Sequence, residues 1–371
     1  MKIRRKDFLK GIAIGTISMP VVLRSCMGEN LAQQRRSASK VSGERYDWKM
    51  VTTWPSNFPI IGDACNLFAT WANEMSGGRM NIRVYGGGEL VPALEAFDAV
   101  RNGSAEMGNG AAYYWAGKAP AAQFFASVPF GMNTQQLSTW IVSGGGLELW
   151  QELYSGLNVV PMYGGNTGAQ MGGWFNKEIN TPEDLKGLKM RIPGLGGKVL
   201  EKAGGSPILL AGGEIYTGLE RGVIDATEWL GPFHDYKMGF HQIAKYYYTP
   251  GWQECGTALE FFINKEKYDS LPPDLQAILQ GAGARVAQWY TAEMEFKNSE
   301  MLQVMRKEGI DIRRFPKPVL DSLRQHTEEA LAEICAADPF SKRVYDSYNA
   351  FRKQISGWAD ISEKVFYDEI Q

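Results

Sequence analysis

Apolar and polar positions change their period several times along this chain. Residues 47–54 alternate as a half-buried strand does, and Pro55 and Pro59 mark the turn after it. Over residues 60–75 the apolar side chains Ile61, Ala64, Leu67, Phe68, Trp71 and Met75 recur at helical spacing. Residues 81–85 return to strand alternation, and residues 91–101 predict a helix on the face of Leu94, Phe97, Ala99 and Val100. The middle of the chain repeats the exchange. Residues 158–163 are apolar enough for a buried strand. In Thr181-Pro182-Glu183-Asp184 the threonine can cap a helix, the proline suits its first position and the acids suit its positive end. Residues 188–192 read as a short strand, 213–221 as a helix stopped by Gly222, and 223–230 as a further strand. From Pro272 onward the pattern is mostly helical. Alternation of this kind predicts an α/β fold with a mainly parallel or mixed sheet. Two such blocks predict two lobes with a cleft between them.

The first residues follow another logic. Lys2, Arg4, Arg5 and Lys6 precede an apolar run over residues 11–23, which has the length of a signal core and is short for a membrane span. Residues 1–26 therefore read as an export signal. Arg5-Lys6-Asp7-Phe8-Leu9-Lys10 is similar to a twin-arginine signal with Lys as the second basic residue. Leu23-Arg24-Ser25-Cys26 is similar to a lipobox, which would make Cys26 a lipid anchor, although Arg24 fits that box poorly. An ordinary secretory cleavage after Ser25 is the third version, and all three place the mature chain outside the cytoplasm, in the periplasm. Residues 27–43, rich in Ser, Gln and Arg, read as a flexible tether.

Size and charge narrow the function. A chain of 371 residues is long for one core, and 44 % hydrophobic residues suffice for two. A formal charge of −2 gives no electrostatic case for nucleic acid. Beyond the export segment no apolar run is long enough to cross a bilayer. Cys26, Cys65, Cys255 and Cys335 form no CxxC pair, so the last three read as buried free thiols.

Enzyme signatures are sparse. G-x-S-x-G, HExxH, a Walker loop and a complete dinucleotide fingerprint are all missing. His234 and His241 stand seven apart, which is no metal-ligand spacing, and read as surface or core-edge residues. Three segments carry more chemistry. Residues 166–174 put Asn166 and Gln170 on a glycine-rich strand. Arg191 ends one strand, and Glu228 ends another. Strand ends of α/β sheets are where ligands bind, and an arginine fork matches a carboxylate. A carboxylate with amide and carbonyl oxygens suits a hard cation such as Na⁺ or Ca²⁺. Taken singly, Arg191 or Glu228 reads equally as a structural ion pair.

Taken together, a set of segments resembles one family, the solute-binding proteins of TRAP transporters. It runs through Gly86-Gly-Gly-Glu-Leu-Val-Pro92, Tyr113-Tyr114, Gly164-Gly-Asn-Thr-Gly-Ala-Gln-Met-Gly-Gly-Trp-Phe175, Leu185-Lys-Gly-Leu-Lys-Met-Arg191, Gly213-Glu-Ile-Tyr216, Leu219-Glu-Arg-Gly222, Ile224-Asp-Ala-Thr-Glu-Trp229 and Tyr246-Tyr-Tyr-Thr-Pro-Gly-Trp252. It is most similar to the branch that binds α-keto acids such as pyruvate. The resemblance implies a two-lobed type II periplasmic-binding fold, with 44–163 plus 252–295 as one lobe, 164–251 plus 296–335 as the other, and 336–371 as a helical C-terminal segment. It implies that Arg191 clamps the ligand carboxylate, and that Asn166 and Tyr113 or Tyr114 bond the ligand. It implies that Gln170, Glu228, the Trp229 carbonyl and Glu254 hold a cation, Na⁺ or Ca²⁺, beside it. No other cofactor and no catalysis are implied; the partners are a small organic acid and the TRAP membrane subunits. The branch also implies a homodimer through the C-terminal helix. Tyr345, Tyr348, Phe351, Ile355 and Trp358 give that helix an aromatic face, which either meets a second copy or packs on the chain's own lobes. A carboxylate enzyme on the same fold, with Glu228 or Glu254 as base, and a ligand sensor stand as the alternatives.

Overall fold

A computed structural model describes residues 43–371. The export signal, Cys26 and the tether up to residue 42 lie outside the described residues. Strands β1 (Tyr46–Thr52), β2 (Met80–Tyr85), β3 (Met107–Gly110) and β4 (Val159–Asn166) come first. Helices α1 (Ile61–Met75), α2 (Ala96–Arg101), α3 (Thr134–Ser143) and α4 (Gly146–Ser155) lie between them. Next come β5 (Gly173–Phe175), β6 (Lys189–Arg191), β7 (Ser206–Ile208), β8 (Ala226–Thr227) and β9 (Tyr246–Thr249), with α5 (Gly194–Lys202), α6 (Gly212–Glu220) and α7 (Pro232–Lys237). The chain closes with β10 (Ala258–Asn264), α8 (Pro273–Lys307), β11 (Ile312–Arg314), α9 (Lys317–Ala337) and α10 (Pro339–Ala359) before its last short turns.

Two mixed sheets result. One has the order β2-β1-β3-β10-β4, the other β11-β9-β5-β8-β6-β7. In the first, β10 runs antiparallel between β3 and β4; all seven of its residues are buried, as an interior strand covered on both faces requires. In the second, β6 pairs in parallel with β7 and β8, and β5 runs antiparallel to β8 and β9. This is the mixed α/β architecture that the alternation predicts.

The chain passes between the sheets at 167–172, at 250–257 and along α8. The first two crossovers lie side by side, with Thr167 N–H on the Thr257 carbonyl at 2.9 Å and Gly251 N–H on the Gln170 carbonyl at 3.1 Å. A Cβ at Gly251 would stand 2.3 Å from that Gln170 oxygen, so the close approach needs glycine. Beyond the crossovers, α9 packs on α5 beside the second sheet, while α10 packs on α3 and α4 beside the first.

Several elements differ from the sequence pattern. Residues 166–174 do not form one strand: β4 stops at Asn166, β5 starts at Gly173, and the crossover lies between. Gly173 sits at φ +112°, and a Cβ there would meet the Thr227 carbonyl at 2.4 Å. The helix start at Thr181 yields only the 3-10 turn Pro182–Leu185. Asp184 accepts the Thr181 N–H at 2.8 Å, as a capping box does, but no apolar stripe follows to extend the helix. Residues 223–230 provide only the two-residue strand β8. Of the thiols, Cys65 is buried, whereas Cys255 and Cys335 are partly exposed. His234 is not at the surface or the core edge: it is fully buried. The aromatic face of α10 divides. Tyr348 is buried, its hydroxyl oxygen accepting the Met132 N–H at 2.7 Å, and Tyr345, Phe351 and Ile355 pack partly on the same core, while Trp358 stays 60 % exposed.

Candidate functional site

Parallel pairing of β6 with β8 sets Arg191 opposite Thr227 at their C-terminal ends. The next residue, Glu228, donates its N–H to the Arg191 carbonyl at 3.2 Å, which brings its side chain to the guanidinium. The two form a buried ion pair through Arg191 Nη1 and Glu228 Oε1, each 1 % exposed. Arg191 also donates Nε–H to the Leu210 carbonyl at 3.3 Å and an Nη2–H to the Tyr114 hydroxyl at 3.2 Å. Its guanidinium lies 5.0 Å from the Trp229 ring. Burial opposes the charge, yet Tyr114 and Glu228 hold the arginine pKa above its ordinary value. The fork that sequence reasoning gave to a ligand thus already holds Glu228, and these bonds leave one Nη2–H unused.

The crossovers supply the second half of the site. Gln170 Nε2–H donates to Glu254 Oε2 at 2.8 Å, and Thr167 and Thr257 hydroxyls accept from the same nitrogen at 3.1 Å. The Thr257 hydroxyl also donates to Glu254 Oε2. Burial raises the Glu254 carboxyl to about 7, against the pull of Thr257, Arg191 and Gln170. Burial first and the Glu254 charge second push the Glu228 carboxyl up, while the Arg191 guanidinium pulls it down and holds it in the ion pair. Burial likewise keeps Tyr113 and Tyr114 neutral, so both remain hydrogen-bond donors. Their rings meet edge to face at 4.8 Å, at the end of the turn after β3.

Buried polar atoms are normally paired, and those that are not mark where something else binds. Four of them belong to residues of this cluster: Glu228 Oε2, Gln170 Oε1, Asn166 Nδ2 and Trp229 Nε1. The first two are acceptors. With Glu254 and the Trp229 carbonyl they make an all-oxygen set of two acids and two neutral groups, which fits Na⁺ or Ca²⁺. The third is a donor at the end of β4, where the Asn166 Oδ1 is occupied by the Gly168 N–H at 3.1 Å and only the amide nitrogen is free to meet a ligand oxygen. The residues present therefore fit a cation and an anionic ligand side by side. Asn166, Gln170, Arg191, Glu228, Trp229 and Glu254 are each no more than 5 % exposed, so the cluster is closed off from solvent. A cavity of about 1160 Å³ lies elsewhere, between α3, α8 and the last turns of the chain.

Sequence reasoning missed the two threonines that orient Gln170 and Glu254, and the aromatic layer over Arg191. Threonines in a glycine-rich loop carry no periodic signal, and the layer is assembled from segments 175 residues apart, as in the His234–Pro59 contact.

Residues 50–338 match the model of the bacterial extracellular solute-binding proteins, family 7. The chain belongs to this family. A monocarboxylate 2-oxoacid-binding periplasmic protein from Nostoc sp. is 38 % identical over 97 % of both chains. A TRAP periplasmic solute-binding protein from Colwellia psychrerythraea, solved with calcium and pyruvate, is 45 % identical, with a TM-score of 0.86 over 88 % of this chain and 99 % of its own. One from Pseudoalteromonas atlantica, solved with sodium and pyruvate, is 44 % identical with a TM-score of 0.86 over 88 % of this chain and 100 % of its own. The two-lobed fold with a helical C-terminus is thus that of the TRAP solute-binding proteins, whose family works outside the cytoplasm, as the resemblance implies.

Proposed function

We propose that this chain captures a small 2-oxo acid, such as pyruvate or a related 2-hydroxy acid, together with Na⁺ or Ca²⁺, and presents it unchanged to TRAP membrane subunits. The observation that carries the reading is the juxtaposition of two orphaned acceptors, Glu228 Oε2 and Gln170 Oε1, with the Arg191 charge and the orphaned Asn166 donor. The cation is held by Gln170, Glu228, the Trp229 carbonyl and Glu254. Arg191, Asn166 and Tyr113 or Tyr114 hold the carboxylate and keto oxygens. The relatives solved with bound calcium and pyruvate, and with bound sodium and pyruvate, support both halves. The lobes follow the sheets, with the 167–172 and 250–257 crossovers as their joint. Neither acid serves as a catalytic base: Glu228 is tied to Arg191 and Glu254 to Thr257 and Gln170. Basic residues before an apolar run of signal length support export to the periplasm, with anchoring at Cys26 as one form of it.

Gentle purification, denaturation and mass spectrometry of the released ligand test the reading. A 2-oxo or 2-hydroxy monocarboxylate is expected; a ligand with no carboxylate, or turnover of added pyruvate, would overturn it. We also propose a homodimer through the chain end, because Trp358, Ile361, Phe366, Tyr367 and Ile370 are all 46–73 % exposed there. Sedimentation of residues 44–371 at micromolar concentration should show a dimer that truncation before Ser341 abolishes; a monomer in the longer form refutes it.

A further inference from the structure

We infer that Phe58 and His234 form a latch across the two halves of the molecule, and that this latch sets how long a bound ligand stays. The inference rests on the ligand reading above. Phe58 lies on the turn after β1, from the first sheet, and His234 lies on α7, which follows β8 of the second. Their rings stack at 5.3 Å with 24° between planes. His234 Nε2–H donates to the Pro59 carbonyl at 2.9 Å. That bond requires a proton on Nε2, and burial lowers the histidine to about 4, which keeps the ring neutral in that tautomer.

The latch is continuous with the site. Trp229 packs edge-on against both Phe58 and Trp54, each at 6.1 Å, and its ring covers Arg191. Trp54 lies 6.3 Å from Tyr114 and donates its indole N–H to Asn109 on β3 at 2.6 Å. Trp54 and Phe58 from one sheet and Trp229 and His234 from the other thus close over the arginine, each at most 8 % exposed. The turn is also held in an uncommon shape: Asn57 and Ile60 sit at φ +55° and +60°, a region that costs a β-branched isoleucine energy. Contacts from α7 hold it there. No ligand leaves without parting these four rings, and parting them breaks one hydrogen bond and three ring contacts. Because the contacts are made after the halves meet, they act on dissociation more than on association.

Stopped-flow tryptophan fluorescence with pyruvate reads this directly, since Trp54 and Trp229 flank the site. His234→Phe keeps the stack and removes the donor, and Phe58→Leu keeps bulk and removes the stack. Each should raise koff about three- to tenfold, the scale of one hydrogen bond or one aromatic pair, with kon within about twofold of wild type. A purely structural role would lower kon and the melting temperature together and leave koff alone. Unchanged koff in both variants overturns the latch while leaving the ligand reading intact. Wild-type protein that takes up no pyruvate overturns both.

Discussion

Two buried glutamates in this molecule share a geometry and differ in chemistry. Glu228, beyond β8, and Glu260, on β10, each have one carboxyl oxygen bonded and the other, Oε2, without a partner. Glu260 Oε1 accepts from the Trp115 indole at 2.6 Å and the Tyr154 hydroxyl at 3.0 Å, both neutral. Burial raises it to about 8, and those donors only partly offset the rise. It is held as a neutral acid inside a sheet. Glu228 faces the same desolvation, but beside the Arg191 guanidinium and within reach of the Glu254 charge. A buried carboxyl alone is a cost; a permanent charge beside it is what the proposed ion site adds at Glu228. On the proposed reading Arg191 does double duty, fixing Glu228 and offering its remaining N–H to the ligand.

The largest effect should come from breaking the charged member of the comparison. Arg191→Ala leaves Glu228 without its counter-charge and the ligand without its cation, and pyruvate affinity should fall by about 2–5 kcal/mol in calorimetry. Arg191→Lys keeps charge but lacks the planar fork, and should recover only part of the loss. Near-wild-type affinity in both would mean that Glu228 and Glu260 are alike, two structural acids.

The neutral member answers to pH. In the unfolded chain Glu260 ionises near the ordinary carboxylate value of about 4.3, and in the fold only near 8. The folded state thus binds the extra proton between these values. Stability from this group is full below the unfolded value and is lost as pH rises toward 8. From pH 6 to 7.5 nearly one proton separates the states, so the loss is about 2 kcal/mol. Glu260→Gln, a mimic of the neutral acid, should flatten that slope in thermal melts and leave pyruvate affinity alone. A slope unchanged from wild type would show that Glu260 is ionised in the fold.

The strand-end placing of Arg191 and Glu228 was legible in the sequence because parallel strands report their ends. Arg191 closes β6 and Glu228 follows β8, as the pattern places them, and register does the rest. The strand over residues 47–54 and the helix over 60–75 appear as β1 and α1, shifted by one or two residues. The helix over 91–101 forms α2 only from Ala96, after a 3-10 turn at Ala93–Glu95. The crossovers were not legible. Gln170 was placed on a strand because glycine-rich apolar runs look extended, whereas tertiary pairing with 250–257 shapes that loop. The aromatic face of α10 could not reveal that Tyr348 plugs the chain's own core while Trp358 does not, since both lie on one stripe. Glu260 gave no signal at all, because a lone acid in ALEFFIN is indistinguishable from an outward-facing residue until both faces of β10 are seen to be covered.

The smallest effect tests the surroundings of Glu228 from the side of Glu254. Glu254 can hold a cation only when ionised, and its carboxyl titrates at about 7. Because the pKa is raised, cation-supported ligand affinity should be full above that value and lost as pH falls through it. The Thr257 hydroxyl stabilises the ionised form by donating to Oε2. Thr257→Val removes that donor at nearly constant volume, leaving Gln170 as the remaining side-chain donor to Glu254 in the crossovers. The carboxyl should then titrate higher, by the equivalent of about 0.5–1.5 kcal/mol, or about half to one pH unit. Pyruvate affinity measured from pH 6 to 9 at fixed calcium should follow a curve displaced to higher pH, merging with wild type at the alkaline end. A uniform loss at every pH would instead mean that Thr257 only braces the crossover. Wild-type affinity that does not change between pH 8 and 6 would remove Glu254 from the cation's ligands, leaving Glu228 with the neutral oxygens alone to hold it.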